Sequence, residues 1–228
     1  MKTVDITELL AQADLVLAMA RLLSPPTPQT SMLAVTDFET LVSQAQLSQQ
    51  LTDSYRHVWQ QLQIVALTDW QAEYVRLFEG ATLCPINETG FIRRDKGHIL
   101  ADIMGFYQAF GLKLDEHAHE KADHLVCELE FVALLLVLLA HAQRQQSQEA
   151  IQVTSDAFSS FSFDHLGDWI TPFCQRLARV SSLALYVQLA QLLEQLWSAI
   201  GRCHQLPLAE PAEPVFEAAG TPYECGRV

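Results

Sequence analysis

Seven acidic or histidine side chains fall within the ten positions from 115 to 124: Asp115, Glu116, His117, His119, Glu120, Asp123 and His124. Carboxylate and imidazole groups are metal ligands, and Glu116 with His119 forms the E-x-x-H unit that di-iron helical bundles use twice. The chain holds no second such unit, and His119 and His124 are five residues apart. An H-x-x-x-H spacing would be needed to place two histidines on one helical face. We therefore expect no bound metal and no catalytic centre.

Acid–base catalysis by Asp123 and His124 is a second possibility. Adjacent residues of a helix point about 100° apart, however, and make a poor pair. The phosphate-binding patterns G-x-x-x-x-G-K-S/T and G-x-G-x-x-G do not occur, nor does the G-x-S-x-G of hydrolases. The structural interpretation is an acidic helix start, which the helix dipole favours. An all-α metal- or nucleotide-dependent enzyme that uses Glu116, His119, Asp123 and His124 stays open as the alternative.

The composition indicates a soluble, cytoplasmic protein. A formal charge of −13 over 228 residues disfavours nucleic acid as a partner, because phosphates repel such a surface. The uninterrupted apolar run 131–140 holds ten residues, whereas a membrane span needs about 20. Five scattered cysteines without a C-x-x-C pair indicate reduced thiols, and acids near the start argue against a secretory signal. We expect no stable membrane insertion.

The segments that must position the charged cluster show mainly helical periodicity. Apolar spacing and breakers predict helices over 5–23, 37–48, 52–66, 69–79, 93–111, 116–143 and 181–201, with two short helices within 156–180. The run 131–140 is apolar on every face, which predicts a helix buried in the middle of a bundle.

Several residues predict where these helices begin and end. Thr36 and Thr68 each precede an acid or amide by three residues, the pattern of a capping box. Gly80 and Gly111 are expected to terminate helices, and Pro172 is expected in the first turn of the second short helix.

The fold class that follows is all-α. We predict one domain, residues 1–204, built as a bundle of about eight to ten helices, because no strand alternation or internal repeat is visible. Residues 205–228 hold four prolines and no hydrophobic period, which predicts an extended or disordered proline-rich tail.

Three segments resemble the TorD/DmsD/NarJ family of redox-enzyme maturation chaperones, and they occur in that family's order. They are YVRLFEGATLCP (74–85), ADHLVCELEFVALLL (122–136), and HLGDWITPFCQRL (165–177) followed by LYVQLAQLL. The acid-rich 115–120 segment and the tail through Cys225 look closer to the chaperones of nitrate-reductase-like molybdoenzymes.

The resemblance implies an all-α binding protein without catalysis or a cofactor of its own. Its partner would be the precursor of a molybdoenzyme catalytic subunit, bound by its twin-arginine leader, its apoprotein body or both, and the chaperone would be a monomer or a homodimer. A twin-arginine leader combines arginines with an apolar stretch. Its receptor therefore needs an apolar groove with carboxylates along its edge. The residues implied for client binding are Tyr74, Leu77, Phe78, Pro85, Glu116, Glu120, Asp123 and His124.

Overall fold

The computed structural model describes residues 4–28, 30, 33–80, 82–113 and 121–206. Its α-helices are α1 (Ile6–Leu23), α2 (Val35–Gln44), α3 (Gln50–Ile64), α4 (Leu67–Tyr74), α5 (Lys96–Ala109), α6 (Leu125–Arg144), α7 (Gln148–Phe161), α8 (Gly167–Val180) and α9 (Ala184–His204). Two π-helical turns, Val75–Glu79 and Ser162–Leu166, extend α4 and join α7 to α8. The described residues contain no strand longer than one isolated bridge, which confirms the all-α prediction. Most of the predicted tail lies outside the described ranges.

Helix α6 forms the centre of the bundle. It packs along α1 and against α7, and α9 closes the core against α3 and α8. Its 20 residues are long and apolar enough to cross a membrane, so the length argument from the ten-residue run alone is wrong. About two thirds of the helix is buried in the protein, however, which is the position of a core helix.

Burial along α6 is less uniform than the sequence predicts. Leu135 and Leu136 are fully buried, but Val137 is 39% exposed and Leu138 is only partly buried. The prediction that every face of the apolar run is buried is therefore wrong. Apolar composition permits burial on all faces, and the neighbouring helices decide which faces are covered.

The start of α6 also differs from the prediction. Residues 121–124 form a turn, and the helix begins at Leu125 instead of residue 116. The ring Nδ1 of His124 caps it, accepting from the N–H of Val126 at 3.2 Å. Residues 114–120, which include Glu116, His119 and Glu120, lie outside the described residues.

Some predicted helix ends are confirmed and others are wrong. Gly111 adopts φ +77°, and the N–H groups of Gly111 and Leu112 close the end of α5 on the carbonyls of Gln108 and Tyr107. Thr36 and Thr68 lie inside their helices, where Ala34 and Ala66 are the N-caps. Likewise, Pro172 lies within α8 instead of its first turn, because the π-helical turn starts the helical path earlier.

Three glutamines end helices in the left-handed conformation. Gln46, Gln146 and Gln205 have φ between 52° and 56°, and each precedes a residue whose N–H bonds back to the helix. Glycine is the usual residue at such a position, so glutamine carries no stop signal in the sequence. This explains why α9 runs past Gly201 to His204, where the sequence predicts an end at the glycine.

Candidate functional site

The loop between α4 and α5 is bound to the turn before α6. Asn87 and His124 form an antiparallel bridge, in which the N–H of Glu88 donates to the carbonyl of Asp123 and the N–H of Leu125 donates to Ile86, both at 2.9 Å. A Cβ at Gly90 would lie 2.4 Å from the Cβ of Pro85, so only glycine fits at this crossing. The sequence segment around Pro85 is therefore part of the same local structure as Asp123 and His124.

Asp123 is fully buried and binds this loop. Its carboxylate accepts from the side-chain amide of Asn87 at 3.2 Å, the N–H of Thr89 at 3.1 Å and the Thr89 hydroxyl at 2.7 Å. As part of the rim of a client groove, Asp123 would have to be exposed, and its full burial shows that this expectation is wrong. The carboxylate holds the loop in place from the interior of the protein.

A buried pair of Glu88 and His165 continues the polar layer. The ring Nδ1 of His165 lies 2.9 Å from Oε2 of Glu88, and both side chains are at most 1% exposed. Since a carboxylate only accepts, Nδ1 carries the hydrogen. The other ring nitrogen, Nε2, lies 3.4 Å from a carboxylate oxygen of Asp102 but has no hydrogen-bond partner.

Arg94 lies over the same pair from the solvent side. Its Nη2 donates to the carbonyl of Asp164 at 2.7 Å and to the carboxylate of Asp168 at 3.0 Å, and it lies 3.6 Å from Oε1 of Glu88. That glutamate oxygen is buried without a hydrogen-bond partner. Arg94 itself is 46% exposed.

A third buried acid, Glu128, lies one turn into α6. It accepts from the indole N–H of Trp169 at 3.2 Å. Burial raises the pKa of the Glu128 carboxyl well above its usual range, and the negative charge of Glu88 raises that pKa further. The motif residues of α6 and α8 therefore meet in the interior.

An open cavity of about 370 Å³ lies beside this layer. Its lining residues are Arg94, His98, Ile99, Ala101, Asp102 and His165. Asp102 is 62% exposed there, so its carboxylate can accept from a bound group. We name this cavity, together with Glu88 and Asp168, the Glu88 cleft.

The aromatic and apolar residues predicted to form a client groove are in the core. Tyr74, Leu77 and Phe78 are at most 6% exposed, and the Phe78 ring contacts Tyr74 at 4.9 Å and Tyr186 at 5.6 Å between centroids. Pro85 is partly buried at the Gly90 crossing. Glu116 and Glu120 lie outside the described residues, so their part of the client site stays a prediction.

Glu73 is an important residue that the sequence analysis missed. Its buried carboxylate accepts from Nε and Nη2 of Arg76, both at 2.7 Å, and from Ser181 and Ser182 in the turn before α9. These donors, Arg76 foremost, lower the pKa of Glu73 to about 2. The sequence shows an acid three residues before an arginine, but it does not show the two serines more than a hundred residues away.

The described residues offer no group of three or more His, Cys, Asp or Glu side chains that could hold a metal ion. Asp123 and His124 are both engaged in supporting the fold, and Cys203 and His204 both contact the buried amide of Gln12. Burial lowers the pKa of His204 to about 4, so this histidine is neutral at neutral pH.

The fold is an all-α bundle in which polar motif residues organise one loop and one cleft. The chain belongs to the nitrate reductase delta subunit family, whose model matches residues 38–175. This confirms the resemblance to the TorD and NarJ chaperones.

Three relatives illustrate the similarity. The chlorate reductase assembly chaperone protein of Ideonella dechloratans is 36% identical over 137 residues, which cover 58% of this chain and 70% of the relative. The selenate reductase assembly chaperone protein of Thauera selenatis is 34% identical over 152 residues, 64% of this chain and 74% of the relative. Chaperone protein TorD of Vibrio parahaemolyticus is 25% identical over 108 residues, 47% of each chain. All three are named as chaperones, and none is named as an enzyme.

Proposed function

We propose that this protein is a cytoplasmic chaperone for the catalytic subunit of a molybdenum-containing reductase. It holds the immature subunit while the cofactor is inserted and before the enzyme is exported. The observation that carries the proposal is the similarity to two reductase assembly chaperones, each covered over 70% or more of its length.

The geometry supports a binding role. The motif residues shape a loop and a cleft from the inside, whereas a catalyst would need reactive groups open to a substrate. The net charge of −13 favours encounter with a cationic segment such as an arginine-bearing leader. We propose that the client is gripped through its leader, its apoprotein body or both, by a monomer or homodimer without a cofactor of its own.

The first test uses a strain that lacks the gene for this chain. We expect the reductase subunit to be synthesised there but to contain little molybdenum, as measured by metal analysis of the purified subunit. A plasmid copy of the gene should restore the metal content. Normal molybdenum content and activity in the deletion strain would contradict the proposal.

A second test separates the two modes of binding. The tagged chain is co-expressed with the precursor subunit, with the same subunit lacking its leader, and with the leader fused to an unrelated protein. Co-purification with only the fusion and the full precursor would show that the chain binds the leader. Co-purification with both forms of the subunit, but not with the fusion, would show that it binds the apoprotein body.

A further inference from the structure

The Glu88 cleft contains buried polar atoms that have no hydrogen-bond partner. Oε1 of Glu88 and Nε2 of His165 are both buried and have no hydrogen-bond partner. The carboxylate of Asp102 lies 3.4 Å from Nε2 of His165 and is 62% exposed, so it presents an acceptor at the opening of the cleft.

Arg94 satisfies this set of acceptors only in part. All three contacts that the structure gives its guanidinium run through the single nitrogen Nη2. A guanidinium carries five N–H groups in a planar fork and binds carboxylates best with two parallel bonds. The geometry around Glu88 therefore suits an arginine, and Arg94 reaches it at 3.6 Å without forming the hydrogen bond.

The cleft is open on the side where a partner could enter. Asp102 is 62% exposed, Arg94 is 46% exposed, and both line the cavity of about 370 Å³. An arginine side chain that enters from this side would meet the exposed carboxylate of Asp102.

We propose that the Glu88 cleft receives an arginine side chain of the partner polypeptide, and that Arg94 occupies part of this position in the uncomplexed protein. The inference rests on the proposed function and adds to it the place where the client arginine binds. Arg94 then acts as an internal competitor that the client arginine displaces, which exposes Glu88 and Asp168 to the incoming guanidinium.

The test measures binding of a synthetic peptide with two adjacent arginines followed by an apolar stretch. Arg94→Ala removes the internal competitor, and Arg93→Ala removes the same charge from the exposed neighbouring residue. If the cleft is free in about a tenth of the wild-type molecules, Arg94→Ala should bind about tenfold more tightly than Arg93→Ala. A peptide with lysines in place of the arginines keeps its charge but lacks the fork, and should show a much smaller gain.

Asp102→Asn tests the cleft without touching its buried residues. We expect binding to weaken about two- to fivefold, the size of a partly exposed ion pair, whereas Asp69→Asn on the exposed surface of α4 should leave it unchanged. Melting curves of each variant check that the fold is retained.

Three results would overturn the inference. If wild-type protein binds the peptide and Arg94→Ala binds no better than Arg93→Ala, Arg94 is not a competitor, and the proposed function stands. Equal affinities of Asp102→Asn and Asp69→Asn would exclude the cleft with the same consequence. If no variant binds the peptide, the inference fails, and co-purification with the reductase subunit then decides separately whether the proposed function survives.

Discussion

Thr89 donates two hydrogen bonds to the carboxylate of Asp123, through its backbone N–H at 3.1 Å and its hydroxyl at 2.7 Å. Both bonds cross from the loop before α5 to the turn before α6. Together with the bridge between Asn87 and His124, they hold the loop that carries Glu88 and Arg94. The position of the Glu88 cleft therefore depends on a carboxylate that no solvent reaches.

Replacing Asp123 with Asn should destabilise the protein. The amide would present N–H groups to a site whose three partners are donors, so we expect a loss of about 1–3 kcal/mol in the free energy of unfolding. Urea denaturation measures it, with Asp14→Asn on the exposed face of α1 as the control for lost charge. An unchanged unfolding midpoint, combined with weaker binding of the arginine peptide, would instead favour direct contact between Asp123 and the client.

The two leucines of α6 should differ in their contributions to stability. Leu135→Ala leaves a cavity in the core and should cost about 2–5 kcal/mol. Leu138→Ala removes a side chain that is only partly buried and should cost less. Val137→Ala at the surface should change stability by about 0.5 kcal/mol or less. Denaturant midpoints of the three variants provide the comparison. Equal costs for Leu135 and Leu138 would contradict the burial of α6 described above.

Glu73 should stabilise the protein at neutral pH and lose that effect in acid. Its pKa falls from 4.5 to about 2 on folding, so the stabilisation is complete above the unfolded value and disappears as pH falls through the folded value. A shift of this size corresponds to about 3 kcal/mol. The difference in stability between wild type and Glu73→Gln should therefore shrink between pH 5 and pH 2. The exposed Glu79→Gln control should show no such trend.

Glu128 should have the opposite effect on the pH dependence of stability. Because its pKa is raised on folding, the folded state holds the proton more tightly, and stability decreases as pH rises above the usual carboxyl range around 4.5. Glu128→Gln keeps an acceptor for Trp169 and stays neutral. We expect this variant to gain stability over wild type at pH 8 relative to pH 5, as followed by thermal melts at both pH values. A constant difference would show that folding does not raise the pKa of Glu128.

Gln205 and Leu206 should contribute to the stability of the helical body. Leu206 is 9% exposed and its N–H donates to Gly201, while Gln205 ends α9 in the left-handed conformation. A chain that stops after Leu206 should unfold at nearly the wild-type temperature. A chain that stops after His204 loses both the helix-ending bonds and a buried leucine, and should melt lower. Equal melting temperatures would place the end of the stable body earlier.

Much of the fold could be predicted because helix formation leaves local signals. Apolar spacing places α1, α3, α5 and α9 to within a few residues, and Gly111 marks the end of α5. Errors occur where the signal is ambiguous. Thr36 and Thr68 match a capping pattern that the chain does not use, and the left-handed Gln205 ends a helix at a residue type that predicts no end.

The candidate site could be predicted only in part. The motif segments contain Asp123, His124 and Trp169, which lie near the start of α6, and Pro85, which precedes the loop that crosses it. The surroundings of these residues could not be predicted, because a carboxylate in a motif gives the same sequence signal whether it faces solvent or a loop. Glu88, Asp102 and His165 come from three separate segments, so their convergence has no local signature.

The sequence by itself determined the all-α class, the apolar identity of α6 and the family, because these follow from periodicity, composition and motif order along the chain. Tertiary structure alone decided which polar residues are buried. Glu73 reaches Ser181 and Ser182, and Glu88 reaches His165, only because the tertiary fold brings distant segments of the chain together. The physical reason is that the burial and hydrogen-bond partners of a residue depend on contacts between two segments of the chain. Periodicity, in contrast, is a property of a single segment.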